Sequence, residues 1–398
     1  MTPIASPTAG RIDGIDLLRG LAIFFVLMNH VNIRLLIARV PYTNGLPDQL
    51  VSSLVWNGQL GVQISFAVSG FLITSTTIRR WGSLSRVSVR GFYLMRFARI
   101  APLLLLLLTV LSILHIAQFK DFVVSSKTGG LAQALFAALT FHVNVLEAKR
   151  GYLPGNWDIL WSLSVEEVFY FFFPLVARLF GRGKMLIVLL IGFVALGPFA
   201  RTVLTHGNEI WKEYSYLGGM DAIALGCLTA LVVSRFRFSR LILWILGSLG
   251  ISLLVFCLGF SLRAEAWGLD RMGLDMTILA VGTCMIVATA AQTNWKSARV
   301  AYPVLTLGQR SYEVYLTHMF VVFALFQLFV LAGKPMGAVL PLFIVVVVIA
   351  GLLGKVVARF YSEPLNRFIR DRWGNRPSSV GSLLEAGTGT RREAGAER

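Results

Sequence analysis

The sequence predicts an all-α polytopic membrane protein of about ten transmembrane helices, folded as a single helical bundle with an internal cavity. The 398 residues are 56% hydrophobic and only 14% charged, and the mean hydropathy is +0.71. A soluble domain carries about 25% charged residues. Several apolar runs approach 20 residues, the length that an α-helix needs to cross a bilayer. These observations argue against a soluble globular protein.

The net charge of +17 comes from 37 lysines and arginines against 20 acidic residues. In a soluble protein this excess would suggest a nucleic-acid partner. Here the basic residues cluster in short loops between apolar runs, as the positive-inside rule describes. We therefore expect contact with a lipid bilayer and no nucleic acid. The sequence contains no metal-binding motif, so no metal site is predicted.

Ten apolar segments follow one another along the chain. We predict helices over about residues 15–37, 58–78, 100–118, 159–177, 185–204, 214–233, 241–262, 272–291, 304–331 and 337–361. The loop at 79–99 contains six arginines and no acidic residue. This is the strongest topological signal, and it places the loop and the N-terminus in the cytoplasm.

One apolar stretch, Leu131–Leu146, is short for a full span. If it does not cross the membrane, the later basic clusters fall on the cytoplasmic side; if it crosses, they fall outside. We therefore predict a re-entrant or external surface element, with both termini cytoplasmic. Residues 1–370 form the membrane domain in this scheme. Residues 371–398 are rich in small and charged residues and are predicted to be a disordered cytoplasmic tail.

The first helix carries ionisable side chains inside an apolar run. Arg19 and His30 are eleven residues apart, which places them about 20° apart around the helix and roughly 16 Å apart along it. Ionisable groups within a span usually face a bundle interior or a wet cavity and mark a functional path. The alternative is that Arg19 anchors the helix at the membrane edge and His30 is a packing residue.

The segment FYLMRFARIAP places Arg96 and Arg99 three residues apart. Such a pair can share a helix face and hold a phosphate by bidentate hydrogen bonds. Simple positive-inside anchoring is the alternative, and from the residues alone it is the better supported one.

The segment WSLSVEEVFYFFFPL contains two adjacent carboxylates, Glu166 and Glu167. Neighbouring side chains point about 100° apart, so at most one should face the cavity near His30. Glu166 is the candidate that orients or charge-balances this imidazole; interfacial capping is the alternative. Two later segments are LGQRSYEVYLTHMF, with Glu313 and His318, and YSEPLNRFIR, in which Glu363 and Pro364 are predicted to end the last helix.

Together these segments resemble the membrane acyltransferase-3 family, integral-membrane enzymes that O-acylate sugars, lipids and some antibiotics. The resemblance rests on DLLRGLAIFFVLMNH, GVQISFAVSGFLITS, FYLMRFARIAP, WSLSVEEVFYFFFPL, LGQRSYEVYLTH and YSEPLNRFIR. They occur in the family's order from about residue 12 to 370. Two departures stand out: Gln63 occupies a position where the family commonly has Asp, and Thr317 replaces the usual aromatic residue before His318.

The resemblance implies transfer of an acyl group, most simply acetyl, from acyl-CoA to a sugar hydroxyl of a cell-surface polysaccharide or glycolipid. No tightly bound cofactor is expected, and the location implied is a bacterial inner membrane. In this scheme His30 is the base, Glu166 supports it and Arg19 balances charge. Arg96 and Arg99 bind the CoA phosphates on the cytoplasmic side. The accessory or substrate-binding residues are Glu167, His318 and Ser69.

Two other functions remain open at this stage. A proton-coupled secondary transporter would use Arg19, His30 and Glu166 as an intramembrane relay. A scaffold without chemistry would tolerate loss of His30.

Overall fold

A computed structural model describes residues 11–293 and 295–373. Within these ranges the chain is helical throughout, apart from turns and connecting segments, and contains no β-strand. Ten helices in the described ranges are long and apolar enough to cross a membrane. The predicted fold class, an all-α polytopic membrane protein, is therefore confirmed.

The long helices are α1 (Asp13–Ile37), α2 (Gly58–Trp81), α3 (Val89–Ile116), α4 (Leu160–Phe180), α5 (Met185–Thr202), α6 (Tyr216–Arg235), α7 (Arg240–Gly259), α8 (Asp275–Gln292), α9 (Ser311–Leu331) and α10 (Val339–Val357). The shorter helices are Asp48–Val55, Gly130–Leu139, Val143–Arg150, Gly155–Asp158, Glu209–Tyr214, Ser261–Ala266, Tyr302–Gln309 and Glu363–Trp373. Single turns of 3-10 helix are Leu84–Arg86, Lys120–Phe122, Ser126–Thr128, Arg299–Ala301 and Met336–Ala338.

The third span begins earlier than predicted, at Val89 instead of near residue 100. The Ser88 side chain accepts a hydrogen bond from the backbone N–H of Gly91 and so caps the helix. Arginine is a good helix former, which allows the basic segment to continue the apolar one. Arg96 and Arg99 therefore lie on α3 and not in a loop.

The predicted helix at 304–331 is broken at Arg310 into two helices, Tyr302–Gln309 and α9. Arg310 forms an ion pair with Glu363, which links the break to the last part of the chain. The break gives α9 its own N-terminus at Ser311, seven residues before His318.

The prediction that Glu363 and Pro364 end the last helix is wrong. After α10 the chain passes through a π-helical turn, Ala358–Ser362, and continues as the helix Glu363–Trp373. Pro364 directly follows the π-helical turn, within a helical stretch that continues from α10. A π-helical turn interrupts the regular i→i−4 hydrogen bonds, which allows a residue without an N–H at this point.

The stretch Leu131–Leu146 forms two short helices, neither longer than ten residues. The turns at 120–128 and the helix Gly130–Leu139 meet at 94°, the geometry of a re-entrant loop or a broken span. Whether this stretch crosses the membrane stays a prediction. The proposed tail, from residue 374 onward, lies outside the described residues.

Small residues let the central helices approach closely. A Cβ atom added at Gly70 of α2 would lie 1.9 Å from the Ile223 carbonyl oxygen of α6. A Cβ at Gly308 would lie 1.7 Å from the Asp16 carbonyl oxygen of α1. Small residues at such contacts are typical of helix packing in membranes. They fix α1 and α2, which carry three of the candidate site residues.

A buried ion pair joins α5 and α6. The guanidinium of Arg201 lies 2.8 Å from Asp221 Oδ2, and the side chains are 2% and 0% exposed. Arg201 also donates to the carbonyl oxygens of Gly218 and Gly273. Gln63 of α2 donates to Asp221 Oδ1 at 2.9 Å. The neutral residue at position 63 thus hydrogen-bonds to a carboxylate supplied by α6.

Candidate functional site

Two histidines from distant parts of the chain meet inside the bundle. The ring centroids of His30 on α1 and His318 on α9 are 5.1 Å apart. His318 Nδ1 lies 2.6 Å from the backbone carbonyl oxygen of Tyr315. A carbonyl oxygen only accepts, so we infer that Nδ1 carries the proton and that Nε2 has a free lone pair. Nε2 is buried and has no hydrogen-bond partner among the described residues.

His30 is surrounded by protein but keeps part of its surface accessible, and its neighbouring titratable group is the His318 ring. Glu166, which the sequence suggested as its partner, has other neighbours: the Ser69 hydroxyl, Arg96 and Arg19. Within the described chain, no hydrogen bond, ion pair or ring contact joins Glu166 to His30. The structure therefore pairs His30 with a second imidazole.

A second polar cluster links α2, α3 and α4. Arg96 forms an ion pair with Glu167 at 2.7 Å. The guanidinium of Arg96 lies 3.8 Å from the ring centroid of Tyr170, close enough for a cation–π interaction. The Tyr170 hydroxyl is hydrogen-bonded to Ser69. The sequence analysis did not identify Tyr170 as a site residue. It is three residues from Glu167, a spacing that places the two side chains on the same face of α4.

Arg19 makes no hydrogen bond or ion pair in the described part of the chain, although it lies among charged groups, namely Arg99, Asp16, Arg11 and Glu166. Asp16 is already paired with Arg11 at 3.0 Å. Arg19 is therefore an interior guanidinium whose donors have no acceptor among the residues that the structure describes. Such a group is suited to an anionic ligand.

Arg99 is exposed, and its guanidinium lies 5.7 Å from the ring centroid of Tyr312. Arg96, in contrast, is engaged by Glu167 and Tyr170. The two arginines thus occupy different environments. Arg99 lies at the surface with no hydrogen bond or ion pair to another described residue, whereas Arg96 links α3 to α4.

Several of these side chains are surrounded by protein and still partly accessible to solvent. The Arg96 and Glu167 side chains are 22% and 11% exposed, and Arg19, His30 and Glu166 also keep accessible surface. Partly accessible polar side chains inside a helical bundle are typical of the lining of an internal cavity. The cavity itself stays a prediction.

Tyr315 is a further site residue that the sequence analysis did not identify. Its ring centroid lies 5.7 Å from that of His318. Its hydroxyl is 2.7 Å from Ser162 Oγ and donates to the Ile159 carbonyl oxygen at 2.8 Å. A spacing of three on one helix was the available signal, since it places Tyr315 and His318 on the same face.

The arrangement combines a neutral imidazole, which can accept a proton from a hydroxyl, with an unpaired guanidinium, which can bind an anion. Among the described residues, no three metal-ligating side chains come together. These groups offer proton transfer at the imidazoles and, about three helical turns away along α1, anion binding at Arg19.

Comparison with known proteins identifies relatives. A family model described as an acyltransferase domain matches residues 12–358. The O-acetyltransferase OatA of Staphylococcus aureus is 22% identical over 371 residues, which cover 89% of this chain and 57% of that protein. The peptidoglycan O-acetyltransferase OatA of Listeria monocytogenes is 26% identical over 327 residues, which cover 77% and 49%. The chain thus spans about half the length of these relatives. No solved structure matches it significantly.

Proposed function

Because the chain belongs to the acyltransferase-3 family, whose model spans residues 12–358, we propose that it is an integral-membrane O-acyltransferase using acyl-CoA as donor. The observation that carries the proposal is the His30–His318 pair, in which a buried imidazole nitrogen has no hydrogen-bond partner within residues 11–293 and 295–373. Transfer of an acyl group to a hydroxyl requires a base at such a position.

The donor is held by the basic residues of the cavity. Arg99 and Arg19 have donors free for the CoA phosphates, so we assign them the first contacts. Arg96 is the third candidate, but a phosphate would have to compete with Glu167 for it. Glu166, which lies among Arg19, Arg96 and Ser69, limits the positive charge of the cavity.

The imidazoles supply the chemistry at the acceptor. His30 or His318 accepts the proton of the acceptor hydroxyl while its oxygen attacks the thioester carbonyl carbon. The new C–O bond forms, the C–S bond breaks, and the CoA thiolate takes up the proton from the imidazolium. His318 has the better-defined tautomer, and His30 the better access.

The names of the relatives guide the choice of substrates. One relative is named a peptidoglycan O-acetyltransferase, which supports acetyl as the acyl group and a sugar hydroxyl of a cell-surface polysaccharide or glycolipid as the acceptor. We place the protein in a bacterial inner membrane with both termini in the cytoplasm, because the arginine-rich stretch 79–99 then lies on the cytoplasmic side.

Labelled acetyl-CoA tests the proposal. Membranes containing the wild type should place label on a glycan, and folded His30→Ala and His318→Gln variants should lose most of this transfer. If both variants label the glycan at the wild-type rate, the imidazole pair is not the catalytic centre.

If the wild type neither binds nor consumes acyl-CoA of any chain length, the enzyme proposal fails. Substrate flux driven by a pH gradient would then favour the alternative of a proton-coupled transporter.

A further inference from the structure

The short helix Gly155–Asp158, directly before α4, contains an unusual group of buried polar atoms. Both side-chain amide atoms of Asn156 and the indole nitrogen of Trp157 have no hydrogen-bond partner among the described residues. The two residues are 1% and 0% exposed. Buried polar groups in folded proteins are nearly always hydrogen-bonded, and leaving several unpaired in one turn is costly. The group therefore requires a functional explanation.

This helix lies against the face of α9 that carries the site. A Cβ added at Gly155 would come within 2.7 Å of the Met319 side chain. At the other end, the Tyr315 hydroxyl donates to the Ile159 carbonyl oxygen at 2.8 Å. Tyr315, His318 and Met319 share one face of α9 by their spacing. The helix between Gly155 and Ile159 thus packs against the face of α9 that also carries His318.

His318 Nε2 is itself buried and unpartnered. Unpaired polar atoms are thus found on Asn156 and Trp157 of the short helix and on His318 of α9, the helix against which it packs. In a membrane protein such groups usually mark a substrate path. A hydrogen-bonding ligand would satisfy Asn156, Trp157 and His318 together.

Building on the proposed acyltransferase function, we propose that Asn156 and Trp157 form the acceptor-binding subsite and hold neighbouring hydroxyls of a sugar ring beside His318. A side-chain amide presents a donor and an acceptor side by side, and each ring hydroxyl can both donate and accept. The indole N–H donates to one further oxygen. The hydroxyl to be acylated then lies next to the unpaired imidazole nitrogen.

The turn Lys120–Phe122 closes this subsite on one side. It contacts the helix Gly155–Asp158, and the Phe122 ring stacks on Phe320 at 5.8 Å between centroids. An ion pair between Asp121 and Arg34 of α1 holds the turn in place. This turn accounts for the burial of the Asn156 side chain. In the predicted topology the turn lies at the outer end of the bundle.

The test compares acyl transfer with acyl-CoA hydrolysis. Native membranes supply the endogenous acceptor glycan, and purified host glycan can be added. In Asn156→Ala we expect the KM for added glycan to rise about tenfold to hundredfold, because a hydrogen bond to a buried polar group is lost. The KM for acetyl-CoA and the hydrolysis of acetyl-CoA without glycan should stay at wild-type values.

Two further variants separate binding from folding. Trp157→Phe removes the N–H and keeps most of the ring, so it should raise the same KM in a folded protein. Asn57→Ala is the matched control, since Asn57 is almost equally buried but donates to the Ser53 and Leu258 carbonyl oxygens; it should leave the KM for glycan unchanged.

An unchanged KM for glycan in both Asn156→Ala and Trp157→Phe would overturn the inference. A rise in the KM for acetyl-CoA would do so too, because the amide would then bind the donor. If the wild type consumes no acyl-CoA, the proposed acyltransferase function itself fails. If instead the variants hydrolyse acetyl-CoA and bind glycan as the wild type does, only the acceptor-binding subsite is refuted.

Discussion

The buried pair of Arg201 and Asp221 permits a stability prediction that does not depend on the function. Both side chains are almost fully buried, and their closest atoms are 2.8 Å apart. Replacing Asp221 by alanine leaves a guanidinium without a counterion in the membrane interior. Breaking a buried ion pair in this way costs about 3–5 kcal/mol.

The cost should lie near the lower end of this range. Arg201 keeps hydrogen bonds to the Gly218 and Gly273 carbonyl oxygens and to the Thr277 hydroxyl. These acceptors disperse part of its charge but do not neutralise it. We therefore expect the free energy of unfolding to fall by about 3 kcal/mol in Asp221→Ala. Asp221→Asn keeps the volume and one acceptor and should cost about 1–3 kcal/mol.

The assay is unfolding of the purified protein in mixed micelles by increasing fractions of SDS, followed by the fluorescence of the nine tryptophans. The decisive comparison is the double variant Arg201→Met with Asp221→Leu. Apolar replacement of a buried ion pair is often neutral or stabilising, so the double variant should be more stable than Asp221→Ala.

Two results would refute this reasoning. Wild-type stability of Asp221→Ala would mean that Arg201 is solvated or unpaired in the membrane protein. A double variant as unstable as Asp221→Ala would mean that the loss comes from packing at this position and not from an uncompensated charge.

Three other predictions follow from local contacts. Burial and a neighbouring carboxyl raise the pKa of Glu147 well above its ordinary value. The folded protein therefore holds a proton that the unfolded chain releases above about pH 4.5, and stability should fall as pH rises from that point, by at most about 1.4 kcal/mol per pH unit. Glu147→Gln should reduce this slope, measured by hydrogen exchange of residues 143–158. Gly308→Ala places a Cβ against the Asp16 backbone oxygen and should lower the melting temperature and the yield of monodisperse protein; an unchanged yield and melting temperature would show that α1 can shift. Glu167→Gln removes the counterion of Arg96 and should lower the free energy of unfolding by about 1–3 kcal/mol, measured by SDS unfolding. The control is Glu209→Gln, which replaces an exposed carboxylate and should leave stability unchanged.

The sequence predicted the fold class and the family correctly because both depend on local signals. Apolar runs of about 20 residues indicate membrane helices, and the motifs that suggested the family lie mostly within residues 12–358, which the acyltransferase family model matches. Helix ends were less predictable. The start at Val89 depends on the cap at Ser88, and the break at Arg310 coincides with an ion pair to Glu363, far away in the sequence.

By itself, the sequence identified Arg19 and His30 as ionisable side chains on one face of a membrane helix, because the periodicity of a helix fixes which residues share a face. Arg19 and His30 do lie inside the bundle. The tertiary structure alone decided which faces meet. It placed His318 beside His30 and grouped Glu166 with Arg19 and with α3 instead. Helix periodicity contains no information about the neighbouring helix, since that contact depends on how distant apolar faces and small residues pack together.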